Sequence, residues 1–110
     1  LPDVLAGNGD VFYAIEAKAS GGNPIYIQER EVRDLMHFSR GFGAIPRLAA
    51  KFDVEHGDPD YGEDTSGWYM VPPKACHVTP EGNYRIKKAW IFENGQRVET
   101  AENHAKWAGQ

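Results

Sequence analysis

The sequence holds a single cysteine, Cys76, among 110 residues. That excludes an internal disulfide framework and leads us to expect a reducing, cytoplasmic compartment. No apolar run approaches the ~20 residues of a membrane span, and no secretory-signal pattern is present. A G-x-x-x-x-G-K-[ST] phosphate loop is missing, so nucleotide hydrolysis is not indicated. Repeats, low-complexity tracts and interdomain linkers are absent as well. Cys76-His77 with His56 or His104 fits no usual zinc spacing. Basic residues are outnumbered: twelve Lys and Arg against sixteen Asp and Glu give a net charge of −4, which at first argues against a polyanionic partner.

The distribution of charge changes that reading. The stretch DVEHGDPDYGED, residues 53–64, holds six of the sixteen acids and no Lys or Arg. Without it, ten acids face twelve bases, a balance of +2. Charged residues interleaved with Gly and Pro make a solvated surface loop the expectation, and an acidic decoration suited to high salt is compatible with it. Apolar residues make up 41% and charged residues 25%, which is ordinary for one globular domain. The organisation expected is a single domain over 1–110: a core over 1–88, an acidic loop over 53–66 and a weakly patterned tail over 89–110. The chain begins at Leu1 rather than Met, so a processed product or a fragment is expected.

Periodicity places the elements. PDVLA and VFYAIEAKA flank GNGD, and Asn-Gly between two such runs signals a hairpin. NPIYI reads as a short strand. QEREVRDLMHFSRGFG has helical period, with Val32, Leu35, Met36 and Ser39 on one face, Phe38 and Phe42 on a neighbouring one, and Gly41 and Gly43 stopping it. Glu29 and Glu31 open this helix, where acids suit the dipole. AIPRLAAKF and GWYMV read as strands, PPKACHVTPEG as irregular, and NYRIKKAWIF as one or two further strands. Trp68, Trp90 and Trp107 with Tyr61, Tyr69 and Tyr84 are packing residues or, alternatively, stacking platforms for bases. The sum is a mixed α/β domain.

A two-residue Asn8-Gly9 loop would set Gly7 against Asp10 and Asp3 against Ala14. Asp3, Ala14, Glu16 and Lys18 would then share one face, with Glu16 the diagonal neighbour of Asp3 at roughly 7–8 Å. Val11, Tyr13, Ile15 and Ala17 would take the opposite, core-facing side. Two neighbouring carboxylates repel unless a cation lies between them, and Mg²⁺ is often held by one or two carboxylates plus waters and phosphates. A nearby lysine can orient a water or neutralise transition-state charge. The plain alternative is a surface ion pair of Asp3 or Glu16 with Lys18, worth at most ~1 kcal/mol.

The wording is more specific than the pattern. Pro2-Asp3, followed thirteen residues later by Glu16-Ala17-Lys18, matches the PD-(D/E)xK nuclease signature. With PDVLAGN, YAIEAKAS, IYI and EVRDLMHFSRGFGAIPRLAAKF, the chain resembles the archaeal Holliday junction resolvases, nearly gap-free from Pro2 to Phe52. The resemblance weakens through GWYMVPP and NYRIKK and is absent from the acidic loop and the end of the chain. It implies a restriction-endonuclease-like mixed β-sheet flanked by helices. It implies an Mg²⁺-dependent endonuclease (Mn²⁺ a possible substitute) that nicks four-way junctions symmetrically as a homodimer and is nucleoid-associated. By resemblance, Asp3 and Glu16 are metal ligands with the carbonyl of Ala17, and Lys18 is the catalytic lysine. Lys51 and Arg40 would contact DNA, and Phe38 and Phe42 would form the dimer surface. The family also carries an N-terminal helix with a further acid, which is expected upstream of this chain. Another nuclease of the same superfamily, or a catalytically silent junction-binding protein, are the alternatives.

Overall fold

The computed structural model describes residues 2–7, 9–52, 59–61 and 65–98. The strands are β1 (Val4–Gly7), β2 (Phe12–Ser20), β3 (Ile25–Ile27), β4 (Ile45–Phe52), β5 (Tyr69–Val71), β6 (His77–Val78), β7 (Tyr84–Ile86) and β8 (Gln96–Arg97); the helices are α1 (Glu29–Phe42) and α2 (Lys88–Asn94). Among the described residues the strands form a five-stranded sheet, β1-β2-β4-β5-β8, and a three-stranded sheet, β3-β7-β6. This is the mixed α/β, restriction-endonuclease-like arrangement expected. No helix among the described residues is long and apolar enough to cross a membrane.

The centre of the large sheet is the parallel pair β2 and β4, in register from Tyr13↔Ile45 to Ser20↔Phe52. Parallel neighbours need a long crossover, and β3 with α1 supplies it. Helix α1 matches the predicted span. Gly43 ends it in the left-handed region at φ 67°; Gly41 stays inside the helix. Val32, Leu35 and Ser39 are buried as expected, whereas Met36 is exposed.

The helix decides which face of the sheet is the core, and the sequence reading had chosen the other. The main cluster gathers Ala14, Leu48, Ala50, Phe52, Tyr69 and Val71 from the sheet with Val32 and Leu35 from α1 and Ile25, Ile27 and Ile86 from the small sheet. Register puts Glu16 and Lys18 on this same face, beside Leu48 and Ala50. The side of Tyr13, Ile15 and Ala17 is the second face, where Ile15 and Ala49 are buried and the Arg47 guanidinium lies 5.4 Å over the Tyr13 ring. Both faces of β2 bury apolar side chains, so alternation alone does not distinguish them.

A second correction concerns NYRIKKAWIF. Only Tyr84–Ile86 is strand; Lys88–Asn94 is helical and places Ile91 in the core. The helix starts where Asn23 Oδ1 accepts the Lys88 N–H at 3.0 Å, a cap supplied from 65 residues away. Phe92 then meets the rings of Tyr69 at 5.1 Å, Tyr61 at 5.2 Å and Phe52 at 6.1 Å. PPKACHVTPEG, expected to be irregular, holds a 3₁₀ turn at Pro73–Ala75 and the short β6. Most of the acidic stretch lies outside the described residues, as do His56, His104 and Trp107.

Leu35 is 1% exposed and Met36 39%, so their truncations should differ sharply. Leu35→Ala should cost about 2–5 kcal/mol through lost contacts and a residual cavity. Met36→Ala should stay within about 0.5 kcal/mol, as surface changes do. Urea unfolding of both variants measures the difference; equal midpoints would mean the helix packs through another face.

Candidate active site

The β1–β2 hairpin builds the site. Its pairs run Val4↔Ile15, Leu5↔Ala14, Ala6↔Tyr13 and Gly7↔Phe12. The last pair is Gly7 with Phe12, so the connection is longer than the two-residue turn predicted. The register slides by two, which preserves the face on which each side chain lies. Asp3 and Glu16 still share a face, but the extended register sets them directly opposite rather than diagonal. The ladder ends at Val4, and beyond it the Ala17 N–H donates to Asp3 Oδ2 at 3.0 Å.

The ladder stops before the bend at Asp3, and Pro2 precedes that bend. A paired strand residue points its N–H and C=O at the same neighbour. The Ala17 N–H points to this edge, so its carbonyl does too, and Pro2 has no N–H to offer it. The edge thus presents a main-chain oxygen without a ladder donor next to two carboxylates.

Glu16 is half-buried on the packed face. Its pKa is pushed up to about 7, first by burial, then by the charges of Asp3 and Glu31, with a hydrogen bond to Asp3 adding to the effect. Near neutrality the facing carboxyls therefore retain a proton. Glu31, expected only as a helix-start acid, lies close enough for its charge to act on Glu16. Its Oε2 accepts the Gln28 N–H at 3.2 Å. The signal available was topological: a crossover helix begins at the carboxyl end of the strand before it, where α/β folds place their sites.

Lys18 follows on the same face. Its Nζ donates to the carbonyl of Tyr26 at 2.8 Å, which ties the ammonium to β3. Lys51 stands opposite Ala19, at the same end of the sheet but projecting from the second face. Arg40 is not brought to the carboxylates: it lies nine residues along α1 from Glu31, about 13 Å by helical rise. Phe38 and Phe42 stack at 4.5 Å between ring centroids, well down the helix from the site. No group of three His, Cys, Asp or Glu side chains able to hold a metal occurs among the described residues. The donor set is two carboxylates and a carbonyl, all hard oxygens. It fits a hard divalent cation that keeps several waters.

Comparison with known proteins bears on the family and the fold. Residues 1–106 match the family model described as archaeal Holliday junction resolvase (hjc). The chain is 46% identical over 88 residues to the crossover junction endodeoxyribonuclease Hjc of Archaeoglobus fulgidus, covering 80% of this chain and 56% of that protein. It is 34% identical over 58 residues to the crossover junction endodeoxyribonuclease Hje of Saccharolobus solfataricus, covering 51% of this chain and 43% of that one. The solved structure of Archaeoglobus fulgidus Hjc, a Holliday junction resolvase, is similar at a TM-score of 0.69 and 31% identity, over 87% of this chain and 74% of the other. The chain spans about half the length of the curated relatives it matches.

The raised pKa of Glu16 carries a sign. Its folded value of about 7 lies above the usual 4.5, so the folded state binds the proton more tightly than the unfolded state. Its contribution to stability is fully present below the unfolded value and is lost as pH rises through the folded one. In EDTA, the melting temperature should fall between about pH 4.5 and about pH 7, and Glu16→Gln should flatten that fall. An equal fall in wild type and variant would show that Glu16 titrates normally.

Proposed function

The chain belongs to the archaeal Holliday junction resolvase family, and from that premise we propose that it is a structure-selective DNA endonuclease that resolves four-way junctions by paired nicks. The observation that carries the proposal is the juxtaposition at the end of β2. Asp3 and Glu16 face each other, the Ala17 carbonyl lies on the same edge, and Lys18 is held beside them. A structural ion pair would place Lys18 against a carboxylate. Here its ammonium bonds a main-chain carbonyl instead.

Asp3, Glu16 and the Ala17 carbonyl would hold Mg²⁺, with Mn²⁺ as a substitute. When bound, such an ion neutralises phosphate charge and makes a coordinated water more acidic. The chain's own residues do the rest. Two of the three Lys18 N–H groups remain for a phosphate oxygen or the attacking water. The proton that Glu16 retains near pH 7 must leave before both carboxylates can bind a cation, so cation affinity rises with pH through that range.

Resolution needs two nicks related by the symmetry of the junction, and a two-fold homodimer supplies two such sites. Phe38 and Phe42 support a dimer through the end of α1. Phe42 is 69% exposed, and register brings the exposed Ile45 and Phe12 to the same end of the sheet. Lys51, and Arg40 across the dimer, are the proposed backbone contacts; contacts of this kind read shape rather than base sequence.

Asp3→Asn and Glu16→Gln should each reduce single-turnover cleavage of a labelled four-way junction by at least about a hundredfold, the scale of a lost electrostatic group in a reactive site. Junction binding should survive, and Lys18→Ala should lose most of the rate. Wild-type cleavage in any of the three removes that residue from the site. Binding by the unaltered chain without any cleavage would favour a silent junction-binding protein.

Phe38→Ala with Phe42→Ala should convert dimer to monomer in sedimentation, since truncated interface aromatics commonly cost ~2 kcal/mol or more each. A dimer that persists at micromolar dilution would assign these rings to packing within one chain.

A further inference from the structure

Beyond the carboxylate site, the small sheet carries a cleft of about 320 Å³ lined by Ala75, Cys76, His77, Arg85, Lys87 and Trp90. Its walls come from three places: the turn before β6, the outer face of β7 and the first turns of α2. On β3, Ile25 and Ile27 are buried while Tyr26 is exposed, so Tyr26 projects away from the core. Arg85 pairs with Tyr26 on one side and with His77 on the other, so these three side chains form a row across the outward face. Lys87 continues the β7 direction, and the half-buried Trp90 closes the cleft with one side of its indole packed on the core.

The chemistry of this lining is one-sided. It holds two permanent cations, a histidine and an indole, and no carboxylate. Among the described residues, neither Arg85 nor Lys87 forms an ion pair. Cations gathered in a concave, partly desolvated space repel one another and focus a positive potential, which favours an anionic occupant. An arginine with an aromatic wall suits a phosphodiester and the nucleoside next to it.

Position makes the link to the carboxylate site. Tyr26, the first member of the row, is the residue whose carbonyl holds Lys18 Nζ at 2.8 Å. From β3 across β7 to β6 is two strand spacings, roughly 10 Å. One DNA strand advances ~3.4 Å per nucleotide, so the row spans about three nucleotides counted from the lysine.

We propose that this cleft is a second DNA contact, in which Arg85 and Lys87 hold backbone phosphates of the arm whose strand lies in the Asp3–Glu16 site, with Trp90 against the adjoining nucleoside. The proposal rests on the junction-nuclease reading. It adds a binding surface on the β3-β7-β6 sheet, outside the motif residues of β1 and β2. It also gives a net-negative chain a local means of gripping a polyanion.

Binding of a fluorescent four-way junction, measured against salt in EDTA, tests it. Arg85→Gln with Lys87→Gln should weaken binding about tenfold at low salt and flatten the dependence of log affinity on log salt by between one and two phosphate contacts, at about 0.9 per contact. Arg85→Lys with Lys87→Arg should keep the wild-type slope. Cys76, the chain's only cysteine, lines the cleft and reports on it without any substitution. Burial pushes its thiol up to about 11, so alkylation is followed at mildly alkaline pH. Bound junction should slow alkylation several-fold. An unchanged salt slope in the Gln variant, or alkylation at the same rate with DNA bound, overturns the proposal. Equal protection by inorganic phosphate, at a concentration matching the DNA phosphates, reassigns the cleft to small anions and also overturns it. Failure of the unaltered chain to bind junction and duplex alike would overturn the nuclease reading as well. Binding that is intact but indifferent to the cleft would overturn this proposal alone.

Discussion

A carboxylate on the packed side of a sheet has lost water that its charge requires, and Glu16 is in that position. The site is organised around this cost. Asp3 is brought opposite by the hairpin register, and Glu31 is brought near by the start of α1, so charge repulsion adds to desolvation. A proton relieves the strain at mildly acidic pH; a bound cation would relieve it above. The fold thus keeps two acids close in an arrangement that is unfavourable when bare, and occupancy removes the penalty. Lys18 stands outside this repulsive group, oriented by β3 instead of by an acid.

The sequence was informative where structure is local. The α1 span follows from its apolar period and Gly43, and the sharing of a face by Asp3, Glu16 and Lys18 follows from parity along β2. Parity explains why the site survived an error of two residues in register: a slip of one would have sent Asp3 to the other face. Three features were not legible, each because its cause lies far along the chain. The core face of β2 depends on which side the crossover helix takes. The conversion of KKAWIF to a helix depends on an Asn23 cap and on the ring cluster around Phe92. The role of Glu31 depends on where α1 starts in space relative to β2. Arg40 and Lys51 were placed by resemblance; Lys51 projects from the face opposite the carboxylates, and Arg40 lies in the last turn of α1, away from them.

Charge is divided within the molecule in a way that the total of −4 conceals. Asp3 and Glu16 meet at the β1–β2 edge, and Arg85 stands one strand beyond β3, whose Tyr26 carbonyl holds Lys18 between the two groups. On the reading proposed above, a phosphodiester strand lying across this boundary would meet cations along its backbone and oxygen ligands at one bond only. Attraction over an extended contact and chemistry at a point would then belong to different sheets. Each could change without undoing the other.

The tether on Lys18 is a main-chain oxygen. A lysine oriented by a side chain loses its orientation when one codon changes. The oxygen of residue 26 is present whatever amino acid stands there, so Lys18 is fixed by the path of β3 rather than by the identity of Tyr26. Residue 26 can therefore drift over evolutionary time without disturbing the ammonium, and an alignment of relatives would give no sign that the position supports it. The constraint passes instead to Ile25 and Ile27, whose burial holds the strand in place.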